Sequence, residues 1–541
     1  MRAAALQVGF LIISSILLSQ SVGAVEPLHQ RIDAHIDAAS DNWMIAPRSD
    51  DAEFVRRIYV DLAGRIPTIE EVRSFLHDST TDKRGRLIDR LLADSDFPQH
   101  MTNQLHIMLM ERLGNDPEWE KFLLTSFREN RPWDEMVREM LHANRENEDT
   151  RGAAYFLTSR LISEGAMAET DVPGLTRDVS RLLAGQDLQC AQCHDHVSID
   201  DYKQRDFQGL HTIFLNVKQD RTATFPAITE GLMSKKHEFM SVFIQQQEET
   251  GPVVPGAGEI EIPVFQEGEE YKVPPDRKKK IDGVPAFSPL ETLARELAQQ
   301  DNAIFRRNAA NRFWFLMLGR GLVHPLDVHH SGNPPSHPEL LEELGQEFAA
   351  HNFDIKWLLK EIALSETYQR TSRLPDGQEP PPREKFLLAH QKRISPEQLF
   401  ESTLVATGER RTSQAVRDEA SKAEDEKTDA FRQQFVKLFA NPPREPETEF
   451  EPSVQGTLFV LNNAQVQRLF ERRKGNLIDR LASLPNENVA DELFLSVLSR
   501  PPSPDDRADV DAVLAQATDR DSAISQLAWA LWSSNEFFLN H

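Results

Sequence analysis

The chain has 541 residues, 39% of them hydrophobic, with two cysteines and a formal net charge of -25. That length implies two or more domains with sizeable cores. The charge disfavours nucleic acid and anionic lipid and makes a basic protein the complementary partner; two cysteines are too few for a disulfide framework, so they mark a local site.

The opening MRAAALQVGFLIISSILLSQSVGA has one cation, Arg2, an apolar run from Val8 to Leu18, and small residues at Val22-Gly23-Ala24. This is the pattern of a secretory signal. Ser14, Ser15, Ser19 and Gln20 interrupt the roughly 20 apolar residues that a membrane anchor requires. No cysteine lies there to accept a lipid. Residues 1–24 are expected to be removed near Ala24/Val25, leaving a secreted or periplasmic chain with no membrane span.

Residues 25–245 read as a helical domain. Phe54, Ile58 and Leu62 share a helix face, which Gly64 and Pro67 terminate. Thr68 and Glu71 form a capping box for the next helix, and Leu87, Ile88, Leu91 and Leu92 line another. Segments 118–145 and 174–186 continue the helical pattern. Residues 246–284 are rich in Pro, Gly and charge and read as a linker, with GEIEIPVF and EEYKV alternating well enough for a small β-hairpin.

Residues 285–541 form a second helical domain. Leu290, Leu293, Leu297, Ile304 and Phe305 are helical in spacing, and Pro338 suits a first helical turn. Asn311, Arg312, Gly319, Arg320 and Gly321 read as structural. The charged stretch 409–450 reads as exposed helix followed by loop, and two further helices close the chain. The fold class is mainly α, two helical domains joined by a linker.

Both cysteines lie in CAQCHDHV, where Cys190 and Cys193 are three apart and His194 follows. Chance would produce that arrangement on the order of once in 10⁴ chains. The spacing matches c-type haem attachment: two thiols add to the two vinyl groups and the adjoining histidine is the proximal iron ligand. Cys190, Cys193 and His194 are thus candidate cofactor ligands.

Rival readings are a disulfide, a redox dithiol, and a zinc site that adds His196. His196 is too close along the chain to His194 to be the sixth haem ligand. His211, on a helix for which Ser198 reads as the cap, is the candidate for that position, although a hydrogen-bonded core-edge histidine is the plainer reading. Met233, His237 and Met240 are further candidates. His324, His329, His330 and His337 surround a Pro/Gly loop and read as solvated. No phosphate-binding glycine loop, GxSxG or HExxH occurs, so no catalytic residue is assigned.

YVDLAGRIPTIEEVRSFL, DKRGRLIDRLLADSDF and LQCAQCHDH followed by DFQGLHTIF resemble the first of two paired domains of unknown function in secreted planctomycete cytochrome-like proteins. ANRFWFLMLGRGLV, GNPPSHPELLEELGQEF, LSETYQRTS and WALWSSNEFFLNH resemble the second. The resemblance implies a CxxCH site at Cys190, Cys193 and His194, with Asp195 and His196 following as in the family. The family pattern continues with Pro-Phe and a Trp, where this chain has Val197-Ser198 and Tyr202, so the packing beside the site differs. Many relatives add an N-terminal cytochrome c domain, for which no room is expected here. The resemblance implies architecture and no reaction.

The expectation is an extracytoplasmic haem c protein passing single electrons to a redox partner. The alternatives are a haem-free scaffold stapled by zinc or a disulfide, and a haem-dependent oxidative enzyme.

Overall fold

Buried side chains divide among two large cores and one small cluster, and that division sets where every site lies. The computed structural model describes residues 26–161, 170–243, 245–276, 278, 282–375, 377–410, 419–445 and 454–541. The expected signal sequence lies outside them. The described residues are mainly helical, with short two-stranded sheets, and no helix among them is long and apolar enough to cross a membrane.

Local signals place many helices. Asp51–Ala63 starts under the Asp50 side chain, which accepts the Glu53 N–H, and stops at Gly64 with φ 69°. The Thr68–Glu71 capping box opens Ile69–His77, and Pro338 opens Pro338–Ala350. Segment 118–145 is two helices, Pro117–Arg128 and Trp133–Leu141. They part at Pro132, whose ring cannot continue a helix interior.

The larger core runs from Leu28 to Leu387 and crosses the linker. Trp133 meets Phe313 edge to face at 5.6 Å, and helix Ala303–Leu318 packs on Pro338–Ala350 and on Val172–Ala184. The second core gathers residues 394–537 and takes in Val60 and Ile66. Helix Asp51–Ala63 therefore touches both cores and is buried all round from Glu53 to Ala63. Its polar residues are paired: Arg57 meets Glu53 at 2.6 Å, and Arg56 donates to the Phe537 carbonyl at 2.9 Å.

Two expectations need correction here. The stretches GEIEIPVF and EEYKV do not pair with each other. Gly258–Glu259 pairs with Val253–Val254 through the tight Pro255-Gly256 turn, and Tyr271–Val273 pairs with Val284–Pro285. The shorter closure costs less chain entropy. The charged stretch is also not simply exposed. Within helix Glu419–Phe439, Phe431, Phe435 and Phe439 recur every four residues and are buried in the second core. Residues 411–418 and 446–450 of that stretch lie outside the described set.

Candidate functional site

Cys190 opens a single 3₁₀ turn, Cys190–Gln192, and Cys193 is its C-cap; the middle residue Ala191 is buried while both cysteines are exposed. Ala191 anchors the turn in the small cluster with Leu188, Tyr202 and Phe207. Tyr202 is the buried post of this cluster. Its hydroxyl donates to the His329 carbonyl at 3.1 Å, and burial pushes its pKa up.

Both thiols are free. His194 is half-buried, and its Nδ1–H donates to the Asp195 carbonyl at 2.6 Å. A carbonyl only accepts, so Nδ1 carries a proton, and in the neutral ring the lone pair is then on Nε2. The ring lies against Phe243, with centroids 4.4 Å apart. Phe243 belongs to a segment tied to the turn, for the Val242 N–H donates to the Cys193 carbonyl at 3.1 Å. Around the turn four apolar side chains face solvent: Val197 is 82% exposed, Phe243 69%, Val242 58% and Met240 54%. Free thiols, a ligating tautomer and an apolar wall together fit a c-type haem. Cys190 and Cys193 would hold the macrocycle, and His194 Nε2 would hold its iron.

His196 Nδ1 accepts the N–H groups of Ser198 and Ile199 at 3.2 and 3.0 Å, which ties that ring into its own turn. Among the described residues no three His, Cys, Asp or Glu side chains converge as metal ligands.

The helix carrying His211 begins at Gln204 rather than near Ser198, which is exposed. Asp195 does the capping instead, its Oδ1 accepting the Gln204 N–H at 2.9 Å. The aspartate of the CHD triplet thus fixes the helix against the thiol turn. Gln208 adds a second tie: its amide donates to the Gln192 carbonyl at 2.8 Å and its Oε1 accepts from His237 at 3.2 Å.

His211 stacks on Phe207, with His237 edge-on at 5.9 Å. Its Nδ1 lies 3.1 Å from Thr176 Oγ1, whose own proton goes to the Val172 carbonyl, so Nδ1 is the donor. Burial, aided by His237, pushes the His211 pKa down to about 4. His211 is thus a neutral, hydrogen-bonded histidine at the core edge. Met233 is buried, and Met240 is on the exposed wall.

The four later histidines are not a solvated group. His337 is buried, and burial pushes His329 and His337 down to about 4. His330 lies edge-on to Tyr202 at 5.4 Å. That places His329 and His330 beneath the thiol turn, whereas His324 and His337 pack beside Phe315 and Phe386. Loop 321–337 folds onto other elements because Asn311, buried, pairs both its amide ends with the backbone of Val323 at 2.9 and 3.0 Å.

Sequence reasoning missed a second polar site, in a cavity of about 590 Å³ lined from both cores. Asp61 accepts from Lys392 at 2.7 Å, from Asn540 at 2.8 Å and from the Tyr368 hydroxyl at 2.8 Å. His100 Nε2 donates to the Asp61 carbonyl at 3.0 Å, and burial pushes its pKa down to about 4. Burial likewise lowers the Lys392 pKa. Beyond them Arg181 chelates Glu111 through two contacts of 2.6 Å and meets Asp327 at 2.8 Å, while Arg312 also pairs with Asp327. The available signal was Asp61 itself, a charge inside the apolar run IYVDLA.

Residues 31–219 match the family model described as PSCyt2, Protein of unknown function (DUF1549), and residues 291–514 match PSD1, Protein of unknown function (DUF1553). The chain carries both domains in that order, and the thiol turn falls within the first. No curated protein and no solved structure gave a match.

Proposed function

We propose that the chain is an extracytoplasmic c-type haem protein that exchanges single electrons with a redox partner. The observation that carries this reading is the His194 tautomer: Nδ1–H is committed to the Asp195 carbonyl, so Nε2 is available beside two free thiols. When bound, haem would supply a one-electron couple. The chain's own residues would supply the rest. Cys190 and Cys193 hold the macrocycle edge, His194 donates Nε2, and Phe243 and Val242 offer an apolar surface that limits water. Asp195 both orients His194 and caps the His211 helix. The net charge of -25 supports a basic partner.

The test is expression with a cytochrome c maturation system, followed by denaturation, haem-dependent peroxidase staining and intact mass. Covalent haem that is lost in Cys190→Ala and Cys193→Ala is the expected result. Wild-type chain without haem removes the reading and leaves the haem-free scaffold, which metal analysis would then assess for zinc. The absorption spectrum of the reduced protein reports the sixth ligand; His211→Ala tests whether that residue supplies it.

A further inference from the structure

We propose that the cavity between the two cores binds a small aromatic carboxylate, with its carboxylate on Arg312 and its ring among methionines and Phe315. This inference does not depend on haem attachment. Arg312 is 4% exposed and lines the cavity. Its Nε donates to Asn308 Oδ1 at 3.2 Å, and its Nη2 donates to the Arg181 carbonyl at 2.9 Å and to Asp327. Nη1 makes no hydrogen bond among the described residues, yet it is not one of the side-chain atoms sealed from solvent, as Arg56 Nε is. The little surface that Arg312 keeps is the surface that lines the cavity, so Nη1 offers two N–H groups to an occupant.

The charge of the ligand follows from what is already paired. Every carboxylate oxygen of the lining accepts from a neighbour: those of Asp61 from Lys392, Asn540 and Tyr368, those of Glu111 from Arg181, and those of Asp327 from Arg181 and Arg312. No acceptor is left there for a cation. Arg383 and Arg393 add cations to a lining that holds no other carboxylate, so a negative occupant is favoured, and one open guanidinium arm suits one carboxylate. The apolar body follows from spacing. Phe315 and Leu316 stand three and four residues after Arg312 on helix Ala303–Leu318, so they share its side of that helix, and Met101 and Met108 come from helix Asp96–Met110. Thioethers adapt to shape and make favourable contacts with aromatic rings, and about 590 Å³ is within the range of small-molecule pockets. Arg383 and Gln391, both exposed, mark the mouth.

The test uses the full chain in calorimetric titrations at neutral pH with two probes of one shape, 4-methylbenzoate and 4-methylbenzamide. The carboxylate should bind saturably and at least ~10-fold more tightly than the amide, because only the carboxylate forms an ion pair away from bulk water. Arg312→Lys, which keeps a cation for Asp327 and removes the open arm, should bring the two within ~3-fold of each other. Arg383→Gln, at the exposed mouth, should change 4-methylbenzoate affinity by less than ~3-fold, since water and salt screen that charge. Met108→Trp, which fills the cavity, should abolish binding of both probes. The proposal is overturned if 4-methylbenzoate does not bind, if the amide binds as tightly, if Arg383→Gln abolishes binding, or if Met108→Trp leaves it unchanged. Should Arg312→Lys fail to fold, the wild-type ratio and the other two variants still decide.

Discussion

The thiol turn and the central cavity are opposite ways of building a polar site. Cys190, Cys193, His194 and His196 come from seven consecutive residues on a surface turn, over a cluster of only four buried side chains. Asp61, His100, Lys392 and Asn540 come from the length of the chain and meet in the interior. The first can change its side chains with little effect on folding, because water replaces what is lost. The second cannot, because its groups are paired with one another away from water. A site read from adjacent letters is cheap to alter; one read from the fold is part of what holds the fold together.

That contrast can be broken by stability measurements. The largest effect is expected from Asp61→Ala, which strands the Lys392 ammonium in the interior and should cost about 3–5 kcal/mol in urea unfolding. A loss under ~1 kcal/mol would show that the pair is solvated. Next comes pH. Six histidines among the described residues, including His100, His211 and His329, are pushed by burial from 6.5 down to about 4. The unfolded chain then binds more protons between pH 6.5 and 4, so stability is full above pH 6.5 and falls as pH drops through that window. Each such group should remove about 1–2 kcal/mol at pH 5, and His100→Gln should shrink the difference between pH 7 and pH 5 by that amount.

A smaller loss, about 1–2 kcal/mol, is expected for Gly319→Ala. Gly319 has φ +74°, and an added Cβ would lie 2.5 Å from Lys392 Cγ. Cys190→Ser in the haem-free chain anchors the other end, with a change within ~0.5 kcal/mol, since the side chain is exposed. A large loss there would mean that the turn is as structural as the cavity.

What was legible follows the same line. Helix ends were readable wherever the signal is local: Thr68 with Glu71, Gly64 after Ala63, Pro338 at a first turn. The CxxCH turn was readable because its chemistry is contiguous. Ser198 misled because Asp195, on the far side of a turn, takes the capping role. The phenylalanines of Glu419–Phe439 were hidden by surrounding charge. Helix Asp51–Ala63 reads as amphipathic, yet it lies between two cores, and its apparent wet face holds Asp61 and Arg56. Periodicity marks which residues avoid water; it does not say which charges will be paired out of it.

The core that runs from Leu28 to Leu387 carries one more consequence. A gene split within 246–284 would cut beneath Trp133 and Phe313 and part Tyr202 from His329. Each half would present a broad greasy face to water, and only co-expression of the two pieces would let those faces cover each other. The matched regions are two in family terms, but side chains from both share the larger core.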